Sequence, residues 1–239
     1  MGDQVNTEVA KRAMLITELV RREPEAITRS IAMMAYNPSI GRVLEHGGVN
    51  LFGNLMVEII PRFYGLVSRA HFDTVHTETC ERILASFKTN KGKRLSYGQA
   101  QKPLNVFLKV YVDWAKLPTH ELADVLAPLL HVPLDSLLMG FIKRTYSDEY
   151  ERRICSIRNL LRDRIAERLQ MPGARGAARQ LLGAELALTA VNKEIYLAWQ
   201  DLLRSIYPGK PVLLDVIWAL ERARVRRGAP AEERGVHGV

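Results

Sequence analysis

Apolar residues recur at helical spacing along most of the chain. Val9, Ala13, Ile16 and Val20 mark an early helix. Tyr150, Ile154, Ile157, Leu161, Ile165 and Leu169 mark a later one. Steps of three and four return a side chain to one face of an α-helix, so these rows predict helices with one buried stripe. A longer stretch, from about Ala177 to Tyr207, carries Leu181, Leu188, Ile195 and Leu202 seven residues apart and reads as one helix stopped by Pro208-Gly209. Further breaks fall at Gly47-Gly48, Pro61, Asn90 to Gly92, Pro118, Pro133, Pro172-Gly173 and Gly228-Ala229-Pro230. About eight to ten helices of ordinary length fit between them. The alternation that marks strands is missing, so the predicted class is all-α, with one helical domain over 1–225 and a disordered tail over 226–239.

At 239 residues and 47% apolar content the chain can bury a substantial core. The formal charge of +8 favours an anionic partner such as nucleic acid, although many basic proteins merely gain solubility from such an excess. Cys80 and Cys155 form no C-x-x-C or Cys/His spacing, so no metal or cofactor is expected. The start, MGDQVNTEVAKR, has no apolar signal core, and no apolar run approaches the roughly 20 residues that span a bilayer. These features predict a cytoplasmic, monomeric protein that binds no membrane.

Candidate chemistry concentrates in residues 88–116, KTNKGKRLSYGQAQKPLNVFLKVYVDWAK. Lys88, Lys91, Lys93 and Arg94 crowd a loop, and Leu95 to Gly98 can form a tight turn. Pro103 suits the first turn of a helix, where its missing N–H costs nothing. Free N–H groups at such a helix start, beside a basic loop, would bind phosphate. Lys102 and Lys109 are seven apart, which is about 700° of rotation and brings them to within about 20° of one face. Their neighbours Leu104, Val106, Phe107, Leu108, Val110 and Val112 predict a buried helix. A lysine drawn out of water loses affinity for its proton and becomes a nucleophile. The plainer alternative is that one lysine is exposed and the other snorkels.

Downstream, LLHVPLDSLLMGFIKR places Asp135 directly before a helical run, in the position of an N-cap. A capping carboxylate is also fixed, ionised and directed, as a catalytic carboxylate must be. His131 is either a partner for phosphate or carboxylate or a structural hydrogen-bonding group. Tyr97, Phe107, Trp114, Trp199 and Trp218 could each stack on a base, but aromatic residues belong more often to the core.

KPLNVFLK followed by VPLD resembles the helix-hairpin-helix DNA glycosylases, nearest to the archaeal 8-oxoguanine glycosylases. The resemblance covers roughly 50 residues, within a hairpin and catalytic segment of about 88–145. It implies two helical subdomains flanking a cleft, with the lysine heading the second helix of the hairpin and the aspartate one element further on. Lys102 and Asp135 fill those places as the catalytic pair, and Lys91, Lys93, Arg94 and Gly98 fall in the DNA-binding hairpin. The usual L-P-G-x-G-x-K hairpin is reduced here to Gly98.

What the resemblance implies is excision of a modified base from duplex DNA. The nucleotide is turned out of the stack, and Lys102 attacks C1′ to leave a Schiff base that strand cleavage can follow. The base could be 8-oxoguanine or a bulky hypermodified phage base, the latter implying a defence role. Alternatives are a helix-hairpin-helix protein that grips nucleic acid without catalysis, and a helical interaction protein whose charge is incidental. Lys109 is the rival nucleophile, set deeper in the helix than Lys102.

Overall fold

The computed structural model describes residues 18, 23–66, 68–171 and 173–226. The expected helix over Val9 to Val20 and the tail beyond Arg226 lie outside the described residues, apart from Glu18. The described chain is helical, and its only β-type pairings are isolated bridges, Leu44 with Thr89 and Lys88 with Arg94. None of its helices is long and apolar enough to cross a membrane.

The elements are α1 (Pro24–Ser39), α2 (Gly48–Ile59), α3 (Arg69–Ser86), α4 (Tyr97–Leu108), α5 (His120–Leu126), α6 (Ser136–Thr145), α7 (Ser147–Tyr150), α8 (Ser156–Leu169), α9 (Ala174–Leu182), α10 (Lys193–Ile206) and α11 (Val216–Arg226). Two π-helical stretches extend them: Lys109–Trp114 continues α4, and Glu151–Cys155 joins α7 to α8. Local chemistry sets many of the starts. Ser68, Ser96, Thr119, Asp135 and Asn192 each accept a backbone N–H from the first turn that follows, satisfying donors that a helix start leaves open.

α4 is the central helix, packed against α1, α3 and α10. Ala100, Leu104, Phe107 and Leu108 are buried along it. The same apolar core includes Phe52 of α2, Phe72 of α3 and Trp199 of α10. Removing water from residues of this size stabilises by about 1.5–3 kcal/mol each relative to exposure, so the core holds α4 firmly.

Two predicted boundaries are corrected. The stretch from Ala177 to Tyr207 is two helices, not one. Gly183 turns the chain with φ 70°, a 3-10 turn occupies Leu188–Ala190, and Asn192 caps α10. Leu181 is exposed, while Ile195 and Leu202 are buried, so the seven-residue spacing never formed a single stripe. α4 also begins earlier than expected: Ser96 and Gln99 form a reciprocal capping box, which places Pro103 inside the helix.

Candidate functional site

An extended segment, residues 130–135, runs through the interior from the end of α5 toward α6. Leu130, His131, Val132 and Leu134 are buried, so their backbone groups need partners inside the protein. Gln200 of α10 supplies two: its Oε1 accepts from Val132 N at 2.9 Å, and its Nε2 donates to Val132 O at 2.9 Å. His131 is held between the Tyr196 hydroxyl at 2.8 Å and Asp73 Oδ1 at 2.7 Å. Asn105 of α4 extends the network, with Nδ2 donating to Gln101 Oε1 at 2.6 Å and to the Tyr196 oxygen at 2.8 Å, and Oδ1 facing His76 Nε2 at 2.7 Å. His131 is thus a structural residue. Together these bonds fix the segment that delivers Asp135 to α4.

Asp135 caps α6 with one oxygen and faces Lys102 with the other. Oδ1 accepts the Leu138 N–H at 2.8 Å, and Oδ2 lies 3.6 Å from Lys102 Nζ. Both side chains are mostly covered, 20% exposed for Lys102 and 16% for Asp135. The cap and the lysine partner are therefore one carboxylate, each oxygen with its own task.

Lys102 and Asp135 line a cleft of ≈ 470 Å3 together with Val106, Lys109, Trp114 and Asp215. This volume lies in the range of small-molecule sites, roughly 300–1,000 Å3. Lys102, Val106 and Lys109 share one face of α4, as their spacing requires. Lys109 does not stand free: its Nζ pairs with Asp215 Oδ2, and the two side chains are only 11% and 6% exposed. Burial pushes the Asp215 carboxyl above the usual carboxylate range, against the pull of Lys109, and the charge of Asp135 acts in the same direction as burial.

Trp114 completes the rim. Residues five apart on an α-helix are separated by about 140° around its axis, so an unbroken α4 would point Trp114 away from Lys109. The π-helical stretch widens the turn, with Ala115 N donating to Val110 O at 2.9 Å. Trp114 thereby returns beside Lys109, whose Nζ is 4.7 Å from the ring centroid. Its indole is 67% exposed, whereas Tyr97, Phe107 and Trp199 are core residues.

Asp215 is not among the sequence candidates, and Trp114 stands only among five aromatic residues that could stack on a base or belong to the core. A single acid within PVLLDVIW was the available signal for Asp215, because a carboxylate in so apolar a run needs a cation. Nothing in the sequence marks the π-helical turn that exposes Trp114.

The expected phosphate-binding helix start is corrected. Lys102 lies in the second turn of α4, not at its head, and the N–H groups of Ser96, Gly98 and Gln99 at that start already have partners. Gly98 is buried, and its N–H donates to Val191 O at 2.9 Å. A Cβ at Gly98 would lie 2.3 Å from Leu188 O, so the glycine serves close packing of 188–191 and has no N–H left for DNA. Ser96 Oγ accepts from Gln99 N and donates to Leu188 O at 2.8 Å. The basic loop itself stays open: Lys91, Lys93 and Arg94 are exposed and make no ion pair among the described residues. Thr89 N bonds Lys93 O and Gly92 N bonds Thr89 O, both at 2.8 Å, which folds the loop into a tight turn.

Comparison of this chain with protein-family models, with curated proteins and with solved structures finds no match.

Proposed function

We propose that this protein is a DNA glycosylase of the helix-hairpin-helix kind, which removes a modified base by attack of Lys102 at C1′ with Asp135 as the carboxylate partner. One observation carries the reading: Lys102 Nζ and Asp135 Oδ2 converge at 3.6 Å on the wall of a cleft of ≈ 470 Å3. The resting pair is an ammonium beside a carboxylate, and attack requires the amine to lose a proton. In this reading the nearby Oδ2 takes it. The Nζ lone pair then bonds to C1′ while the glycosidic C1′–N bond breaks, and its electrons leave with the base, which acquires a proton. The nitrogen's extra proton passes to O4′ as the C1′–O4′ bond opens, which leaves a protonated Schiff base and a free 4′ hydroxyl. Strand cleavage follows if a proton leaves C2′ and the 3′ phosphate departs.

The apolar walls of Val106 and Val110 and the exposed indole of Trp114 suit a flat ring turned out of the stack. The loop of Lys91, Lys93 and Arg94 would hold the DNA backbone. An 8-oxoguanine-like base fits this reading, as does a hypermodified phage base in a defence role. Two helical subdomains around the cleft, with this chain acting as a monomer in the cytoplasm, complete the proposal.

The open basic loop also favours a second reading, a nucleic-acid-binding protein without catalysis. Borohydride trapping on a panel of modified-base duplexes separates the two. A covalent protein-DNA adduct, abolished in Lys102→Gln and retained in Lys109→Gln, is the expected result. Salt-sensitive DNA binding with no adduct and no released base on any substrate would leave the binding reading. Trapping that survives Lys102→Gln would remove Lys102 from the nucleophile role.

A further inference from the structure

The helical hairpin of α8 and α9 encloses a second cleft, of ≈ 420 Å3, which shares no lining residue with the first. Arg158 and Arg162, four apart and so on one face of α8, stand opposite Arg179 of α9. Their donors are poorly used. Arg158 Nη2 donates to Gly183 O at 3.0 Å, but its Nη1 is buried with no hydrogen bond. Arg162 Nε is also buried without one, and its nearest carboxylate oxygen, Asp163 Oδ1, is 3.5 Å away. Arg179 has no hydrogen bond or ion pair among the described residues.

The carboxylate on the same wall does not neutralise them. Glu185 accepts from Lys143 Nζ at 2.9 Å, from the Tyr150 hydroxyl and from Cys155 Sγ at 3.7 Å, so both of its oxygens already have donors other than the arginines. The buried donors on Arg158 and Arg162 lack acceptors at a cost, and Arg179 adds an exposed third cation beside them. Guanidinium forks match oxyanions through paired N–H bonds. Three forks around one space need more acceptor oxygens than the two of a carboxylate, whereas a phosphate supplies them.

We propose that the cleft between α8 and α9 is a phosphate-binding site, with Arg158, Arg162 and Arg179 as its ligands. The inference stands on these arginines and does not depend on the chemistry assigned to Lys102. The phosphate belongs either to a nucleic-acid backbone or to a small phosphorylated molecule.

The test is calorimetric titration of the full chain, in phosphate-free buffer, with inorganic phosphate and separately with a short unmodified single-stranded oligodeoxynucleotide. Phosphate should bind saturably, and Arg158→Gln and Arg179→Gln should each weaken it about tenfold or more, the loss expected for a charge-assisted contact. Among the described residues Arg179 makes no hydrogen bond, so its variant tests the site even if Arg158→Gln unsettles the Gly183 turn. If oligonucleotide affinity falls with that for phosphate, and its salt slope drops by about one per lost contact, the source is a nucleic-acid backbone. If phosphate binding falls while oligonucleotide binding is unchanged, the source is a small phosphorylated molecule. Lack of saturable phosphate binding, or unchanged affinity in both variants, overturns the site.

Discussion

Lys109 and Asp215 meet within the cleft, Nζ against Oδ2, seven residues along α4 from Lys102. The cleft thus holds two lysine–aspartate pairs of different character. That of Lys109 is deeply covered and closely joined, while that of Lys102 is looser and more open to an incoming atom. This difference separates the groove's structural ion pair from its proposed reactive one.

Breaking the covered pair from one side should be costly. Asp215→Leu or Lys109→Met leaves a buried charge without its partner and is expected to destabilise by about 3–5 kcal/mol. The double variant should recover much of that loss. Denaturant unfolding of the three variants measures it, and a double variant no more stable than the singles would mean that the two residues do not act as a pair.

Asp135 allows capping and pairing to be separated. Asparagine caps a helix about as well as aspartate, so Asp135→Asn should hold stability to within a few tenths of a kcal/mol, and Asp135→Ala should cost about 1 kcal/mol. Both should abolish or sharply lower base release if Oδ2 serves Lys102. Asparagine that loses stability while base release per folded molecule stays normal would leave Asp135 only its cap.

At Gly98 the expected effect is on the fold. A methyl group there would press on the Leu188 carbonyl and the Val191 side chain. Gly98→Ala should therefore destabilise by about 1–3 kcal/mol, the usual penalty of overpacking. Thermal unfolding checks this, and an unchanged midpoint would show that the 188–191 segment shifts freely.

Trp114 contributes exposed area to the cleft and little to the core. Trp114→Ala should change stability by no more than about 0.5 kcal/mol, yet weaken binding to DNA carrying an extrudable base by about 1–3 kcal/mol, the worth of stacking an aromatic on a base. Equal binding by the variant in a fluorescence-anisotropy titration would exclude it as the stacking surface.

Two buried histidines set a pH limit on stability. Burial pushes His76 well below its ordinary value, with the neighbouring His131 acting in the same direction. Burial also lowers His131, against the opposing pull of Asp73. Both take up protons less readily in the fold than when unfolded, so stability is full above about pH 6.5 and falls as pH drops below it. Asp73 does not alter this window. Burial alone would raise its carboxyl, but the hydrogen bond and charge of His131, with Arg69, hold it below its ordinary value, so its contribution is lost only in stronger acid. Denaturant midpoints at pH 5.5 and 7.5 should differ in that order, and equal midpoints would contradict it.

The sequence alone determined the helical class, the shared face of Lys102, Val106 and Lys109, and the cap at Asp135. Each follows from short-range rules: helical spacing, a polar residue before an apolar run, and the rotation per residue. The same rules misplaced the start of α4, because a prolyl ring at position 103 is as legible inside a helix supported by its neighbours as at its head. They also joined α9 to α10, since seven-residue spacing cannot reveal that Gly183 turns the chain.

Tertiary structure decided what faces what. Asp135 reaches Lys102 only because Gln200 and Tyr196 of α10, with Asn105 of α4 itself, satisfy a buried extended segment. Asp215 meets Lys109 across 106 residues, and Arg179 meets Arg158 and Arg162 through a turn of the chain. Spacing along one helix fixes which residues share its face. Which distant carboxylate or guanidinium comes to that face depends on how the helices bury their apolar stripes against one another, and that is settled only when the core closes.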